Sequence, residues 1–239
     1  MNTALPEVMI EKDSTETTNI DNMRMKNTST ENNTPAQTSA LNATTPHTRT
    51  ATQCLIALYC GSRFGHNPVY KEKAIALAEN IAKSGLGIVY GGASIGLMGQ
   101  VADSVIDQGG EVVGVIPEFM LDYEIAHSKL TELHVVQTMH ERKAMMAERA
   151  SAFVALPGGL GTFEEILEIA TWGQLNQHQK PIIIYNVNGF YNALIAQLDH
   201  AVQEGFLPLQ HRAKIIVCEQ SEQILDGLAN LKSPHSFVV

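Results

Sequence analysis

The sequence is poor in cysteine, in long apolar runs and in positive charge, and each shortage excludes a class of protein. Its three cysteines (Cys54, Cys60, Cys218) suggest neither a disulfide framework nor a zinc knuckle, so a reducing cytoplasm is the expected compartment. No apolar run approaches the roughly 18 residues of a membrane helix, and no secretory signal is expected. A net charge of −9 argues against a nucleic-acid partner, but a phosphorylated small molecule needs only a local cradle of amides and cations.

Residues 1–50 differ in composition from the rest of the chain. They contain no Phe, Trp, Tyr or Gly and are dominated by Thr, Asn, Ser, Glu and Ala. Such a stretch buries too little apolar surface to offset the entropy lost on ordering. Its four Lys/Arg and six Asp/Glu also argue against an Arg-rich transit peptide. The sequence therefore predicts a disordered tail over residues 1–50 and a folded domain over residues 51–239.

From residue 51 onward, apolar runs alternate with stretches of helical periodicity. In residues 68–84, for example, Ala74, Leu77, Ala78 and Ile81 follow the i, i+3, i+4, i+7 spacing of an amphipathic helix. We predict strands over 54–59, 86–90, 111–116, 133–136, 152–156, 181–185 and 214–218, and helices over 68–84, 96–108, 138–150, 162–176, 189–204 and 221–231. Nearly continuous apolar strands that alternate with helices are typical of a parallel sheet covered on both faces. The predicted fold class is α/β, with a Rossmann-like, doubly wound parallel sheet in a single domain.

Two of the predicted strands end in glycine-rich turns, at residues 91–99 (GGASIGLMG) and 157–165 (PGGLGTFEE). Open α/β sheets bind ligands beyond the carboxyl ends of their strands. Glycine there lets backbone amides approach an anion, and the helix that follows points its N–H groups at the same place. Ordinary tight turns also use glycine, but two dense turns in one sheet favour a single phosphorylated ligand held from two sides. Neither turn is placed like a dinucleotide fingerprint, and neither is a Walker A loop.

Glu165 has two interpretations. With Thr162 it matches the Ser/Thr-x-x-Glu capping box, in which the carboxylate only satisfies an amide at the helix start. If the phosphate or sugar of a ligand occupies that helix end, a carboxylate in the same place is unfavourable. A catalytic role would then explain why the carboxylate is there.

Arg142 is the second candidate. It shares one stripe of helix 138–150 with Met139, Met146 and Arg149. A guanidinium among methionines suits bidentate contact with a phosphate or carboxylate at a partly buried site. The alternative is an arginine at the edge of the stripe whose head reaches solvent.

The histidines show no metal-ligand spacing, and the sequence holds no His-Glu-x-x-His, Cys-x-x-Cys or Gly-x-Ser-x-Gly motif. We therefore expect no metal and no catalytic serine.

Residues 91–99, residues 139–143 (MHERK) and residues 157–165 closely resemble the LOG family, the cytokinin riboside 5'-monophosphate phosphoribohydrolases that were long mislabelled as lysine decarboxylases. The resemblance runs from about residue 54 to residue 230. It implies a Rossmann-like homodimer that needs no cofactor. The implied reaction hydrolyses a purine nucleoside (cytokinin riboside or adenosine) 5'-monophosphate to free base and ribose 5-phosphate.

The resemblance also implies roles for single residues. The catalytic arginine falls on Arg142 and the motif glutamate on Glu165. Substrate-binding positions fall on Glu124, Arg142, Lys143, Gly158, Gly159, Leu160, Gly161, Thr162, Phe163, Glu164 and Thr171, and we add Gly91, Gly92, Gly96 and Met98 of the other glycine-rich turn. Residues 121–123 (LDY) depart from the proline and basic residue that the family often has before the glutamate matched by Glu124, which leaves the preferred base open.

Two other functions compete with this interpretation. A pyridoxal-phosphate decarboxylase needs a Schiff-base lysine, and no lysine here stands out for that role. A nucleotide-binding or molybdenum-cofactor-binding carrier protein would keep the glycine turns without hydrolase activity, but it has less need for Arg142 and Glu165. The sequence therefore favours an enzyme.

Overall fold

The computed structural model describes residues 54–121, 126–229 and 231. The predicted tail over residues 1–50 lies outside this part of the chain. The strands are β1 (Leu55–Tyr59), β2 (Gly87–Tyr90), β3 (Val112–Pro117), β4 (Glu132–Val136), β5 (Ala150–Ala155), β6 (Ile182–Tyr185) and β7 (Ile215–Cys218). The helices are α1 (Val69–Lys83), α2 (Gly96–Asp107), α3 (Met139–Arg149), α4 (Leu160–Gln174), α5 (Asn192–Gln203), α6 (Leu209–Arg212) and α7 (Ser221–Leu228), with 3-10 turns at Glu118–Met120 and Val187–Gly189.

The strands form one parallel sheet in the order β4-β3-β2-β1-β5-β6-β7. The predicted α/β fold with a doubly wound parallel sheet is confirmed. The chain order reverses between β1 and β5, which lie side by side although α1, α2 and α3 separate them in sequence. Such a reversal opens a crevice at the carboxyl ends of the two strands. The helix that follows each strand begins at this edge, so the first turns of several helices meet there.

Two apolar layers cover the sheet. On one face α1, α2 and α7 pack against the strands through residues such as Leu77, Val101 and Ile224. On the other face α3, α4 and α5 supply Met146, Ile166 and the half-buried Leu198. The central strands β1 and β5 are buried along their whole length, which is why their sequences are continuously apolar rather than alternating.

The predicted element bounds agree with the observed ones except in a few places. The predicted helix 189–204 begins only at Asn192, because Asn188 adopts a left-handed backbone (φ 52°) in the preceding 3-10 turn. The last helix ends at Leu228 rather than at residue 231. Helix α6 was not predicted, since four residues are too few to show a helical period. No helix in the described part of the chain is long and apolar enough to cross a membrane.

Gly96, the first residue of α2, lies where the segments that follow β1 and β2 contact each other. It has a φ of +57°, and a Cβ at this position would lie 2.2 Å from the carbonyl carbon of Ser62 and 2.4 Å from the amide nitrogen of Arg63. The Leu97 N–H next to it donates to the Gly61 carbonyl at 3.0 Å. The glycine therefore allows the start of α2 to pack directly on the segment after β1.

We expect Gly96→Ala to lower the free energy of unfolding by about 3 kcal/mol, because the methyl group would overlap backbone in addition to straining the left-handed residue. Gly85→Ala is the matched control, since Gly85 also has a positive φ (+75°) but nothing within 4 Å of an added Cβ. That control should lose only about 1 kcal/mol. Urea denaturation measures both, and equal losses would show that the contact with Ser62 contributes nothing.

Candidate active site

A cavity of about 280 Å³ opens at the carboxyl edge of the sheet where β1 and β5 adjoin. Its walls come from the ends of β1 and β2, the 3-10 turn after β3, and the first turns of α2, α3 and α4. The lining residues are Leu58, Cys60, Gly61, Ser62, Gly91, Met98, Met120, Met139, Arg142, Gly159, Leu160, Gly161, Thr162 and Glu165. Both glycine-rich turns and both charged candidates therefore contribute to one cavity.

Helix α4 begins at this cavity without a side-chain cap. Its N-cap, Gly159, has an extended backbone, and no side chain in the described residues accepts a hydrogen bond from the first amides. Gly159, Leu160, Gly161 and Thr162 all line the cavity. The N–H groups of a first helical turn have no partner within the helix, and they add to the positive end of the helix dipole. This arrangement suits a phosphate group.

Gly158 lets the turn before α4 approach the end of β1. A Cβ at Gly158 would lie 2.1 Å from Thr162 Oγ1 and 2.9 Å from the Gly61 amide nitrogen. The Gly61 N–H donates to the Pro157 carbonyl at 3.1 Å. The ends of β1 and β5 are therefore in close backbone contact, and a side chain at position 158 would force them apart.

The capping-box interpretation of Glu165 is wrong. Helix α4 starts at Leu160, two residues before the predicted start, so Thr162 lies inside the first turn and is not the N-cap. The Thr-x-x-Glu cap occurs instead at the start of α3. There Thr138 Oγ1 accepts from the Glu141 N–H at 3.1 Å, and the Glu141 carboxylate accepts from the Gln137 N–H at 2.8 Å. Glu165 therefore does not occupy the third position of the helix, where the glutamate of a capping box lies.

Arg142 and Glu165 face each other inside the cavity. Arg142 Nη2 lies 3.5 Å from Glu165 Oε1, and the two side chains are only 8% and 9% exposed. The solvent-reaching alternative for Arg142 is therefore wrong. Its Nη1 makes a long contact of 3.8 Å with the sulfur of Met139, and its buried Nε has no hydrogen-bond partner in the described part of the chain. The site thus contains a buried cation with unused donors beside a buried carboxylate.

The charge of Glu165 influences its neighbours. Burial raises the pKa of the Cys60 thiol, the negative charge of Glu165 raises it further, and the positive charge of Arg142 partly opposes this rise. The pKa of the Tyr59 hydroxyl is raised by the same two causes in the same order. Cys60 is consequently a neutral thiol in the cavity wall, not a thiolate nucleophile.

Lys143 is buried but does not line the cavity. Its ammonium pairs with Glu164 and, at 3.0 Å, with Glu168 on the neighbouring helix α4. Burial lowers the pKa of Lys143, but the hydrogen bonds to Glu164 and Glu168 outweigh it and the net shift is upward. In the single chain, this lysine links α3 to α4.

Several other predicted substrate-binding residues also lie away from the cavity lining. Phe163 packs against the rings of Phe190 and Tyr191. Thr171 is exposed, and its hydroxyl donates to the Leu167 carbonyl at 2.8 Å. Gly92 and Gly96, which shape the turn after β2 with positive φ values, and Gly158 are also outside this lining. Glu124 is not among the described residues.

Sequence reasoning missed part of the cavity wall. Cys60 and Ser62, which follow β1, line the cavity but were not among the predicted site residues. Met120 comes from a 3-10 turn, which is too short to produce a periodic pattern in the sequence. Tyr191 was also missed: its hydroxyl donates to the Leu156 carbonyl at 2.6 Å and so supports the turn that leads into α4.

A second hollow of about 300 Å³ adjoins the cavity and shares Gly61, Ser62 and Gly159 with it. The rings of Phe64, Tyr70 and Phe190 form part of its wall, so it is more apolar than the Arg142 side. Among the described residues, no group of three or more His, Cys, Asp or Glu side chains is arranged to hold a metal ion.

Known structures share the fold. The molybdenum cofactor binding protein of Rippkaea orientalis superposes with a TM-score of 0.56 at 18% identity, covering 74% of this chain and 96% of that one. The Moco carrier protein of Chlamydomonas reinhardtii gives the same values. At this level of identity the likeness concerns the fold alone.

Sequence relatives are much more similar. A family model described as "Possible lysine decarboxylase" matches residues 98–228. The cytokinin riboside 5'-monophosphate phosphoribohydrolase of Rhodococcoides fascians is 46% identical over 180 residues, which are 75% of this chain and 89% of that protein. An enzyme of the same name from Arabidopsis thaliana is 42% identical over 184 residues, 77% of this chain and 86% of its own. The chain therefore belongs to the family of cytokinin riboside 5'-monophosphate phosphoribohydrolases, the LOG family.

Proposed function

We propose that this chain hydrolyses the N-glycosidic bond of a purine nucleoside 5'-monophosphate, with a cytokinin riboside or adenosine as the nucleoside, and releases the free base and ribose 5-phosphate. The observation that carries the proposal is the buried Arg142–Glu165 pair, 3.5 Å apart, beside the uncapped start of α4. One cavity thus offers a place for an anion and a carboxylate for chemistry.

The 5'-phosphate is proposed to bind at the start of α4. The amides from Gly159 to Thr162 border the cavity and need partners. A phosphate held there fixes the sugar at a set distance from Glu165, one to two helical turns along the same helix. Binding energy from the phosphate, which does not react, is then used to orient the bond that breaks.

Glu165 is proposed to act on the sugar. As the bond between C1' and the purine nitrogen breaks, positive charge develops on the ring, and a nearby carboxylate stabilises it. The same carboxylate can accept a proton from the water that attacks C1'. The oxygen of that water forms the new bond to C1', while the departing purine takes the electron pair and a proton. Arg142, whose Nε has no hydrogen-bond partner among the described residues, holds the nucleotide and offsets negative charge on the leaving base.

A homodimer is also proposed. Lys143, Glu164 and Thr171 occupy nucleotide-contacting positions by resemblance, yet none of them lines the cavity. Glu164 and Thr171 are exposed on α4, whereas Lys143 is buried and pairs with Glu164. Phe163 and Glu124 are proposed to contact the substrate only because of the same family resemblance. Contact between the exposed residues and a nucleotide would require a second chain against this surface. In the described structure, Cys54, Cys60 and Cys218 form no disulfide, which suits the proposed cytoplasmic location.

The decarboxylase description of the family model does not fit the cavity. Pyridoxal phosphate is bound to such enzymes through a lysine, and none of the described residues that line this cavity is a lysine. Lys143, the nearest candidate in sequence, is paired with Glu164 and Glu168.

The direct test is incubation with AMP and with isopentenyladenosine 5'-monophosphate, followed by chromatography of the products. Free base should appear from at least one of them, whereas a carrier protein would bind a nucleotide and return it intact. The matching nucleosides, which lack the phosphate, should be cleaved with a kcat/KM at least about 10³-fold lower, since the α4 amides have nothing to hold. Equal rates with and without the phosphate would contradict the assigned phosphate site.

Glu165→Gln keeps the size of the side chain and removes its charge. We expect kcat to fall by about 10²- to 10⁴-fold, while the dissociation constant for AMP changes by less than tenfold. Glu168→Gln is the control on the same helix, because Glu168 pairs with Lys143 outside the cavity lining. Its kcat should stay within about threefold of the parent. Normal turnover by Glu165→Gln would refute the role given to this carboxylate.

Arg142→Lys retains a positive charge but loses the planar fork of donors. We expect kcat/KM to fall by about 10²-fold, because one ammonium cannot replace several guanidinium N–H groups. Steady-state kinetics measure the loss, with circular dichroism to confirm folding. An unchanged kcat/KM would mean that only the charge of Arg142 matters.

A further inference from the structure

The backbone conformation at Gly91 does not explain why this position is a glycine. Its neighbours in the same turn, Gly92 and Gly96, have φ values of +82° and +57°, a region that L side chains rarely adopt. Gly91 is not among the residues of positive φ. A reason for glycine at position 91 must therefore come from the space around it.

That space is filled by Arg142. A Cβ at Gly91 would lie 2.2 Å from Arg142 Nη2 and 3.3 Å from Arg142 Cζ, with the sulfur of Met98 also at 3.3 Å. The nearest atoms are thus the ends of side chains and not backbone. The guanidinium occupies the volume that any other residue at position 91 would need.

Few hydrogen bonds hold the guanidinium in this place. Glu165 Oε1 is 3.5 Å from Nη2, the sulfur of Met139 is 3.8 Å from Nη1, and Nε has no hydrogen-bond partner in the part of the chain that the structure describes. The shape of the surrounding wall must then fix the group more than directed bonds do. Gly91 is part of that wall, and Nη2 occupies the volume that a Cβ at this position would take.

We propose that Gly91 is a positioning residue for Arg142: its missing side chain creates the slot that holds the guanidinium against Glu165. Its kinetic consequence rests on the proposed hydrolase function. The claim that Gly91 fixes the position of Nη2 does not rest on that function. This role differs from that of an amide that contacts the substrate phosphate, since it acts through Arg142.

The test combines Gly91→Ala with a change of Arg142. In the parent protein, Gly91→Ala should reduce kcat/KM by about 10²-fold, the loss that a displacement of about 1 Å in a catalytic group produces. In the Arg142→Lys background the same alanine should cost less than about threefold, because lysine lacks the branched head that overlaps the methyl group. Gly227→Ala is the matched control: an added Cβ there meets only Ile183, at 3.7 Å, far from the cavity. It should leave kcat/KM unchanged.

A crystal structure of Gly91→Ala separates the possible failures. We expect an unchanged backbone with Nη2 moved away from Glu165 Oε1. A guanidinium that stays in place, or a penalty of about 10²-fold that persists in the Arg142→Lys background, would overturn the positioning role. If the parent protein cleaves no nucleotide while the guanidinium still moves, the proposed function fails and the positioning role stands.

Discussion

Burying Arg142 and Glu165 together is the interaction on which the site depends. Removing an ion from water costs several kcal/mol even after the protein relaxes, and only good geometry with additional hydrogen bonds recovers that cost. Here the arginine is used poorly for stability: its Nη2 is 3.5 Å from Glu165 Oε1, and its buried Nε has no partner among the described residues. A pair that stabilised the fold would use the guanidinium fork fully. Unused charged donors beside a carboxylate indicate a site prepared for a charged ligand.

The topology explains why these two side chains meet. Arg142 lies in the first turn of α3, which precedes β5, and Glu165 lies near the start of α4, which follows β5. Helices in a parallel sheet begin at the carboxyl edge, so both starts reach that edge on the same face. The reversal of strand order beside β1 then leaves a crevice between them. The carboxylate, the guanidinium and the uncapped amides therefore come from chain segments close to a single strand.

The sequence predicted the parallel sheet and most element bounds because both follow from the spacing of apolar residues within single segments. It also predicted that Arg142, Glu165 and the two glycine-rich turns contribute to one site. It did not predict contacts between side chains on different helices. The pairing of Lys143 with Glu164 and Glu168 joins different helices, and no local pattern predicts it. One of the two interpretations of Glu165, a capping box that begins at Thr162, is wrong because α4 begins two residues earlier, and a motif alone cannot show where a helix begins.

The glycines also show that tight packing and ligand binding are not alternative explanations of the same turn. Gly158 allows backbone contact between the ends of β1 and β5, and Gly96 allows it between the segments after β1 and β2. Neither needs to touch a ligand, yet both determine where the amides of α4 and the wall around Arg142 lie. The segments approach so closely that an added Cβ at either glycine would overlap atoms of the neighbouring segment. The density of glycine in the two turns therefore reflects how close the strand ends are, and the proposed anion site results from that closeness.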